Sequence, residues 1–328
     1  MDRIRLFGVA LQNSEKLARV AASGARLRID GDTAQVIDYF ERVGVHAILL
    51  KGPSIARWLY DDATERPYFD CDLLVGPEDF DAAERELRSL GYAPLLDRWG
   101  LPSWWYGHAV PWAHAGGIVS VDLHRTLIGV GVDHATAWRV LSVDVDEIPV
   151  AGRRAPCLSL PARAMHVALH AAQHGPGTQP AVDLERALTL GDDALWLRAA
   201  GVAADLDATA AFVAGLRLTR AGSQLAARLA LPDVRSVTAE LRTSTPPPLA
   251  VAFEQLARAP TLRARVEIVW RNLAPNPRLL WASNPAAVGS WRGLVAAYIR
   301  RLAWLVGHAP RGFEAWYRVH RAVARGRR

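Results

Sequence analysis

Hydrophobic positions in the first half of this chain alternate between two periods. From Asp32, the run Asp-Thr-Ala-Gln-Val-Ile-Asp-Tyr-Phe-Glu-Arg-Val places Val36, Ile37, Phe40 and Val43 at helical spacing, and Gly44 predicts a C-terminal cap. Val45–Leu50 is a short, mostly apolar run between Gly44 and Lys51-Gly52-Pro53, the mark of a buried strand. Pro53 suits a first helical residue, so Ser54–Tyr60 reads as a short helix. Phe69–Val75 reads as a second strand, and Pro77–Leu90 as a helix ended by Gly91. Two hairpins are predicted. One joins Val110–His114 to Ile118–Leu123 through Ala115-Gly116-Gly117, and the other joins Glu147–Val150 to Arg154–Leu158 through Ala151-Gly152-Arg153.

From Ser159 the pattern becomes helical. One helix is expected from Ser159 to about His174, a second over Pro180–Leu190, and one or two more between Leu195 and Leu229. A break follows at Pro232, and Thr243-Ser-Thr-Pro-Pro-Pro reads as a hinge or linker. The tryptophan-rich remainder, with Trp270, Trp281, Trp291, Trp304 and Trp316, is again helical. Strands followed by helices predict an α+β chain, with a core at residues 1–158 and an α-helical domain at 159–328 that has a linker near 231–248.

Composition narrows the class. With 328 residues, 51% of them apolar, the chain has ample material for a core and is not a disordered one. No apolar run reaches the ~20 residues that span a bilayer. The best stretch, around Leu294–Val306, is interrupted by Arg300 and Arg301, and no membrane partner is expected. The start, Met1-Asp-Arg-Ile-Arg, lacks a signal-peptide pattern, so the expected location is cytoplasmic. Cys71 and Cys157 make no disulfide framework and have no zinc spacing around them; both read as small buried hydrophobes.

The net charge is +6, and its distribution matters more than its sum. The last eighteen residues carry Arg311, Arg318, Arg321, Arg325, Arg327 and Arg328 against Glu314 alone, which suits either a polyanion such as RNA or a solvated helix face. Only Lys16 and Lys51 of the 39 basic residues are lysines. A lysine inside a candidate site therefore invites a specific explanation, because its compact ammonium differs from the planar fork of arginine.

The chemistry centres on Phe69-Asp70-Cys71-Asp72-Leu73-Leu74-Val75. On a strand Asp70 and Asp72 share one face while Cys71 and Leu73 point to the other. Paired carboxylates repel and raise each other's pKa, a cost that a divalent cation between them removes. Hard oxygen ligands at this spacing suit Mg²⁺. Asp-x-Asp alone is equally a pair of surface aspartates on an edge strand. Lys51-Gly52 before a helix start reads as an anion site, with the Ser54 hydroxyl added or none needed, or as an ordinary strand-to-helix turn with glycine for its conformation. Arg66 either reaches the same phosphates or stands in solvent as a loop arginine. In Val119-Ser-Val-Asp-Leu-His-Arg, Asp122 offers a third strand carboxylate able to ligate metal and accept a proton, while His124 beside it positions substrate or serves the structure.

Taken in order, Ala47-Ile-Leu-Leu-Lys-Gly-Pro-Ser-Ile-Ala-Arg-Trp-Leu-Tyr-Asp, Arg66, Asp70-Cys-Asp-Leu-Leu-Val and Val121-Asp-Leu-His resemble the uncharacterised nucleotidyltransferase family of the DNA polymerase beta-like superfamily. Leu169-His-Ala-Ala-Gln-His-Gly and Val182-Asp-Leu-Glu resemble its helical part, so the similarity runs over roughly residues 33 to 230. The superfamily usually has Gly-Ser where this chain has Lys51-Gly52. The resemblance implies a small mixed sheet with flanking helices and two-metal chemistry on Asp70, Asp72 and Asp122. It also implies Mg²⁺ or Mn²⁺ as cofactor, an NTP such as ATP as donor, and release of pyrophosphate.

The acceptor is open: a hydroxyl or similar group on a small molecule or peptide natural product, or RNA or protein for a toxin-like enzyme. A catalytically silent nucleotide- or RNA-binding protein is the reading from another class. His170 and His174 lie at i, i+4 on one helix, with Asp183 on the next. They read as contacts to substrate or to the groups around the metal, in preference to a zinc site. Trp99 and Trp104-Trp105-Tyr106 either stack a ring or plug a loop.

Overall fold

The computed structural model describes residues 23–62, 65–95, 108–114, 116, 120–243, 246–259, 261–275, 280 and 290–326. Trp99, Trp104, Trp105, Tyr106 and Trp281 lie outside the described residues. Two compact units divide the chain: the described residues of Met1–Pro94, Gly107–Thr126 and Asp133–Arg163, and those of Leu95–Tyr106, Leu127–Val132 and Ala164–Arg328.

The first unit is built on a seven-stranded mixed sheet, so the chain is α+β. Helix α1 covers residues 23–42 and buries Val36, Ile37 and Phe40, but Val43 is exposed. Gly44, at φ 77°, then reverses the chain, with the Val45 amide donating to Phe40 O. In chain order come β1 (Ala47–Leu49), α2 (Pro53–Leu59), β2 (Asp70–Val75), α3 (Phe80–Ser89), β3 (Tyr92–Pro94), β4 (Ala109–His114), β5 (Ser120–His124), α4 (His134–Ser142), β6 (Val145–Val150) and β7 (Arg153–Leu158). The sheet order is β3-β4-β5-β2-β1-β7-β6. β2 is thus central, antiparallel to β1 and parallel to β5. Both its faces are covered, which explains its almost continuous apolar run. The β6–β7 turn is made by Ala151 and Gly152, both at positive φ, as a twisted two-residue hairpin demands.

Several elements depart from the sequence expectation. α1 begins well before Asp32, and α3 starts at Phe80, three residues inside the run from Pro77. The short strand β3 and the helix α4 were not anticipated. The α4 signal was present in Asp133, whose carboxylate accepts from the Thr136 amide at 2.8 Å as an N-cap. Trp138 of α4 packs so closely on Gly76 that a Cβ there would lie 2.8 Å from its indole nitrogen. Cys71 and Cys157 are buried and unpaired with each other.

From Ala164 on the second unit is helical, beginning with α5 (Leu160–His174), whose first four residues belong to the first unit. It continues with α6 (Gln179–Leu190), α7 (Asp193–Asp205), α8 (Thr209–Leu216), α9 (Arg220–Arg228), α10 (Val237–Thr243), α11 (Ala250–Arg258), α12 (Leu262–Leu273) and α13 (Trp291–Gly326). The stretch from Leu195 to Leu229 therefore holds three helices in place of one or two. Trp196 and Phe212 fill its core, and Gly215 lies so close to the Ala168 carbonyl that any side chain would collide with it. No described helix is long and apolar enough to cross a membrane.

Candidate active site

The site grows from the junction of β1, α2 and the two parallel strands beside them. The Leu50 amide donates to Asp72 O at 3.0 Å, which holds the end of β1 against β2. The chain then turns at Gly52, whose φ of 60° and ψ of −115° only glycine adopts without strain. A Cβ at that position would meet the Tyr68 ring at 3.4 Å. Pro53 opens α2, and the Ala56 amide closes its first turn onto Gly52 O. The Lys51 side chain, projecting from this turn, places Nζ 2.8 Å from Asp72 Oδ1.

Parallel pairing sets Asp72 opposite Asp122, Asp70 opposite Ser120 and Leu74 opposite His124. Period-two alternation brings Asp70 and Asp72 to one face of β2 and Asp122 and His124 to one face of β5. The His124 Nε2–H donates to Asp72 Oδ1 at 2.9 Å. One ligand atom each of Asp72, Asp122 and His124 lies within 4.8 Å of the others. Asp70 falls outside that group, at the mouth of the strand and half-buried.

Asp72 is 1% exposed, and its Oδ2 is buried with no hydrogen-bond partner. Burial alone would push its carboxyl up, but the Lys51 ammonium and His124 hold it well below the usual carboxylate range. Its neighbours go the other way. Burial, then the Asp72 charge, raises Asp70 to about 6. The same two causes raise Asp122. Burial works to lower the Lys51 pKa, yet Asp72 and Asp70 outweigh it and the ammonium stays firmly protonated. The site is a cluster of three carboxylates in which Asp72 is held ionised and its charge makes the other two harder to ionise. An unpartnered buried carboxylate oxygen is costly in a protein interior and is the group a hard cation satisfies. The residues present therefore fit a divalent metal.

The remaining candidates are placed as follows. The Ser54 hydroxyl is fully buried and turns back to Leu50 O and Lys51 O at 3.1 and 3.3 Å, so it braces the turn. Arg66 is buried rather than standing in solvent. His170 and His174 belong to the second unit, on α5 with His166. Their rings form a ladder, with centroids 6.0 Å apart for His166 and His170 and 4.7 Å for His170 and His174. Asp183, also in the second unit, is buried and accepts from Gln179 at 3.2 Å.

One supporting group escaped the sequence reading. Asp30 of α1 is buried and accepts from the Tyr68 hydroxyl at 2.6 Å and from Arg57 of α2 at 2.7 Å. Tyr68 also rests on Gly52, so this triad clamps α1 and α2 about the turn that carries Lys51. Its only sequence signal was an acidic residue on an otherwise buried helical face.

The solution structure of the antibiotic-resistance factor ANT(2'')-Ia aligns at 15% identity and a TM-score of 0.38, covering 52% of this chain and 89% of that one. The lincosamide antibiotic adenylyltransferase LnuA, in its lincomycin-bound form, aligns at 15% identity and 0.33, covering 48% and 94%. An antigenic nucleotidyltransferase-like protein from Paracoccidioides brasiliensis aligns at 12% identity and 0.35, covering 55% and 93%. No curated protein matches the sequence. The model of the uncharacterised nucleotidyltransferase family matches residues 9–222, well over half of the chain and all of the site described above. The chain belongs to that family, and it is a nucleotidyltransferase.

Proposed function

We propose that this enzyme moves a nucleoside monophosphate from an NTP, ATP among them, to a hydroxyl or similar group on a small molecule or peptide. The observation that carries the reading is the orphaned Oδ2 of Asp72, buried beside Asp122 and His124. Asp70 and Asp72 would hold the Mg²⁺ or Mn²⁺ that escorts the triphosphate and Asp122 would complete the shell of a second ion, a metal there supplying neutralisation of phosphate charge. Lys51 and the amides of the Gly52 turn bind the donor phosphates. Asp122 accepts the proton of the acceptor hydroxyl as its oxygen bonds to the α-phosphorus. The bond from that phosphorus to the bridging oxygen breaks, and pyrophosphate leaves with the electron pair. His124 orients Asp72 through its Nε2–H. NTPs are cytoplasmic metabolites, which is where we place the protein.

Calorimetry with each of the four NTPs, with and without Mg²⁺ or Mn²⁺, tests the donor assignment. Binding of at least one NTP is expected only with metal, and Asp72→Asn should abolish it. Folded protein that binds no NTP in the presence of either metal would end this reading. Labelling of cell extract with α-labelled NTP then tests transfer and separates small acceptors from RNA and protein.

A further inference from the structure

The second unit exposes apolar side chains in an ordered way. On α12, Leu262, Val266, Val269, Trp270 and Leu273 are all exposed, Leu262 by 78% and Trp270 by 66%. At 3.6 residues per turn they fall within roughly 100° of one helix face. On α13, Trp291, Val295, Ile299, Leu302, Val306 and Phe313 are exposed as well, Trp291 and Val306 by 73%. They share roughly 80° of its circumference. A separate strip of α13, beside the Trp291 edge of that stripe, carries Ala297, Leu305 and Val323, which are buried. α13 thus keeps one apolar strip buried and offers a second outward, while α12 has no buried side chain among its described residues. The Arg301 guanidinium donates to Asn272 O at 2.7 Å and the Tyr298 hydroxyl to Pro275 O at 2.6 Å, so the two helices are tied together.

Charge borders this apolar surface. Arg292, Arg300, Arg311, Arg318, Arg321 and Arg325 follow one another on the strip of α13 next to the apolar stripe, and those from Arg292 to Arg321 are exposed. Arg263 and Arg265 flank the apolar face of α12 on its two sides. From residue 258 to the end the sequence has fourteen arginines against two glutamates, so the preceding residues of this +6 chain are on balance acidic. A helix with tryptophan and branched aliphatics on one exposed face, and beside it a strip of arginines interrupted only by Glu314, which pairs with Arg318 at 2.9 Å, has the make-up of helices that lie in the plane of a lipid surface. Arginine stems cover apolar surface while their heads reach phosphate, and tryptophan favours the headgroup level.

We infer that α12 and α13 form a docking surface for an anionic lipid bilayer, entered by the apolar stripes and held by the flanking arginines. RNA would use the basic strip and leave the apolar stripes in water. The inference rests on the second unit alone and departs from the sequence expectation of no membrane partner. It places the enzyme on a membrane surface without any spanning helix.

Sedimentation of the full chain with vesicles tests it. Vesicles of phosphatidylcholine with about one-third phosphatidylglycerol should pellet the protein, at least tenfold better than phosphatidylcholine alone, with affinity falling as salt rises. Ile299→Glu with Val306→Glu should weaken vesicle binding by about tenfold or more without changing the melting temperature, since both residues are exposed. Arg292→Gln with Arg300→Gln should remove much of the preference for anionic lipid. Three results would overturn the inference: no pelleting with anionic vesicles, equal pelleting of the Ile299/Val306 variant, or a single-stranded RNA bound by wild type and that variant alike while vesicles are ignored. Self-association abolished by that variant, with no vesicle binding, would instead assign the surface to a second copy of the chain.

Discussion

At the scale of single residues, the site is held in tension by its own charges. Lys51 is the nearest counter-charge of a fully buried carboxylate, and Asp70 and Asp122 crowd the same space. Lys51→Ala leaves Asp72 with His124 alone, and removing one partner of a buried ion pair costs about 3–5 kcal/mol, toward the lower end here because Lys51 is partly exposed. Its melting temperature should drop, and added Mg²⁺ should narrow the gap by supplying the missing positive charge. The same variant should bind NTP at least tenfold more weakly, with Lys51→Arg only partly restoring affinity. Asp70 behaves in the opposite sense. Its carboxyl titrates near 6 in the folded protein against an ordinary 3.8, so ionising it costs the fold. Stability is lost as pH rises from about 4 to about 6 and stays lost above that. Metal-free Asp70→Asn should therefore be more stable than wild type at pH 7, by of order 1–3 kcal/mol, and should lose that advantage below pH 4. Thermal melts across pH check the sign. Asp122→Asn keeps shape and loses the base. It should bind NTP nearly as wild type does, while transfer falls by about a hundredfold or more.

Elements carry those residues into register. Gly52 shows how narrow the allowance is: Gly52→Ala must adopt a backbone region closed to side-chain-bearing residues, so it should destabilise the fold by about 1–3 kcal/mol and weaken NTP binding together. Strand β2 was legible because its apolar run and alternating aspartates leave few other conformations, and Gly44 and Gly91 fell where helices had to stop. The pairing of Asp72 with Asp122 was not legible. It joins strands fifty residues apart in parallel, and nothing local to either strand specifies its neighbour. His124 was seen as a neighbour of Asp122, but its hydrogen bond to Asp72 across the strands follows only from that register. The clamp of Asp30, Tyr68 and Arg57 escaped for the same reason, since three distant segments meet there. Helix α4 was missed through a cap signal that went unread, and β3 because three residues are too few for a period to show.

At the scale of the molecule, two compact units divide the described chain, the first taking most residues up to Arg163 and the second those after it, with short earlier segments joining the second. The charge divides too, acidic on balance before residue 258 and strongly basic after it. The orphaned oxygen of Asp72 has a consequence at this scale as well. A fold that keeps an unsatisfied carboxylate at its centre is least stable when empty, so loading and stability are linked by mass action. A ligand at a hundred times its Kd adds about 2.7 kcal/mol, and in a protein of this size each kcal/mol moves the transition by roughly 2–4 °C. A melting curve taken across the four NTPs and a series of divalent ions thus becomes a reading of donor and metal preference. It needs no acceptor, no product and no turnover, and so it ranks the substrates of this enzyme before the acceptor is in hand.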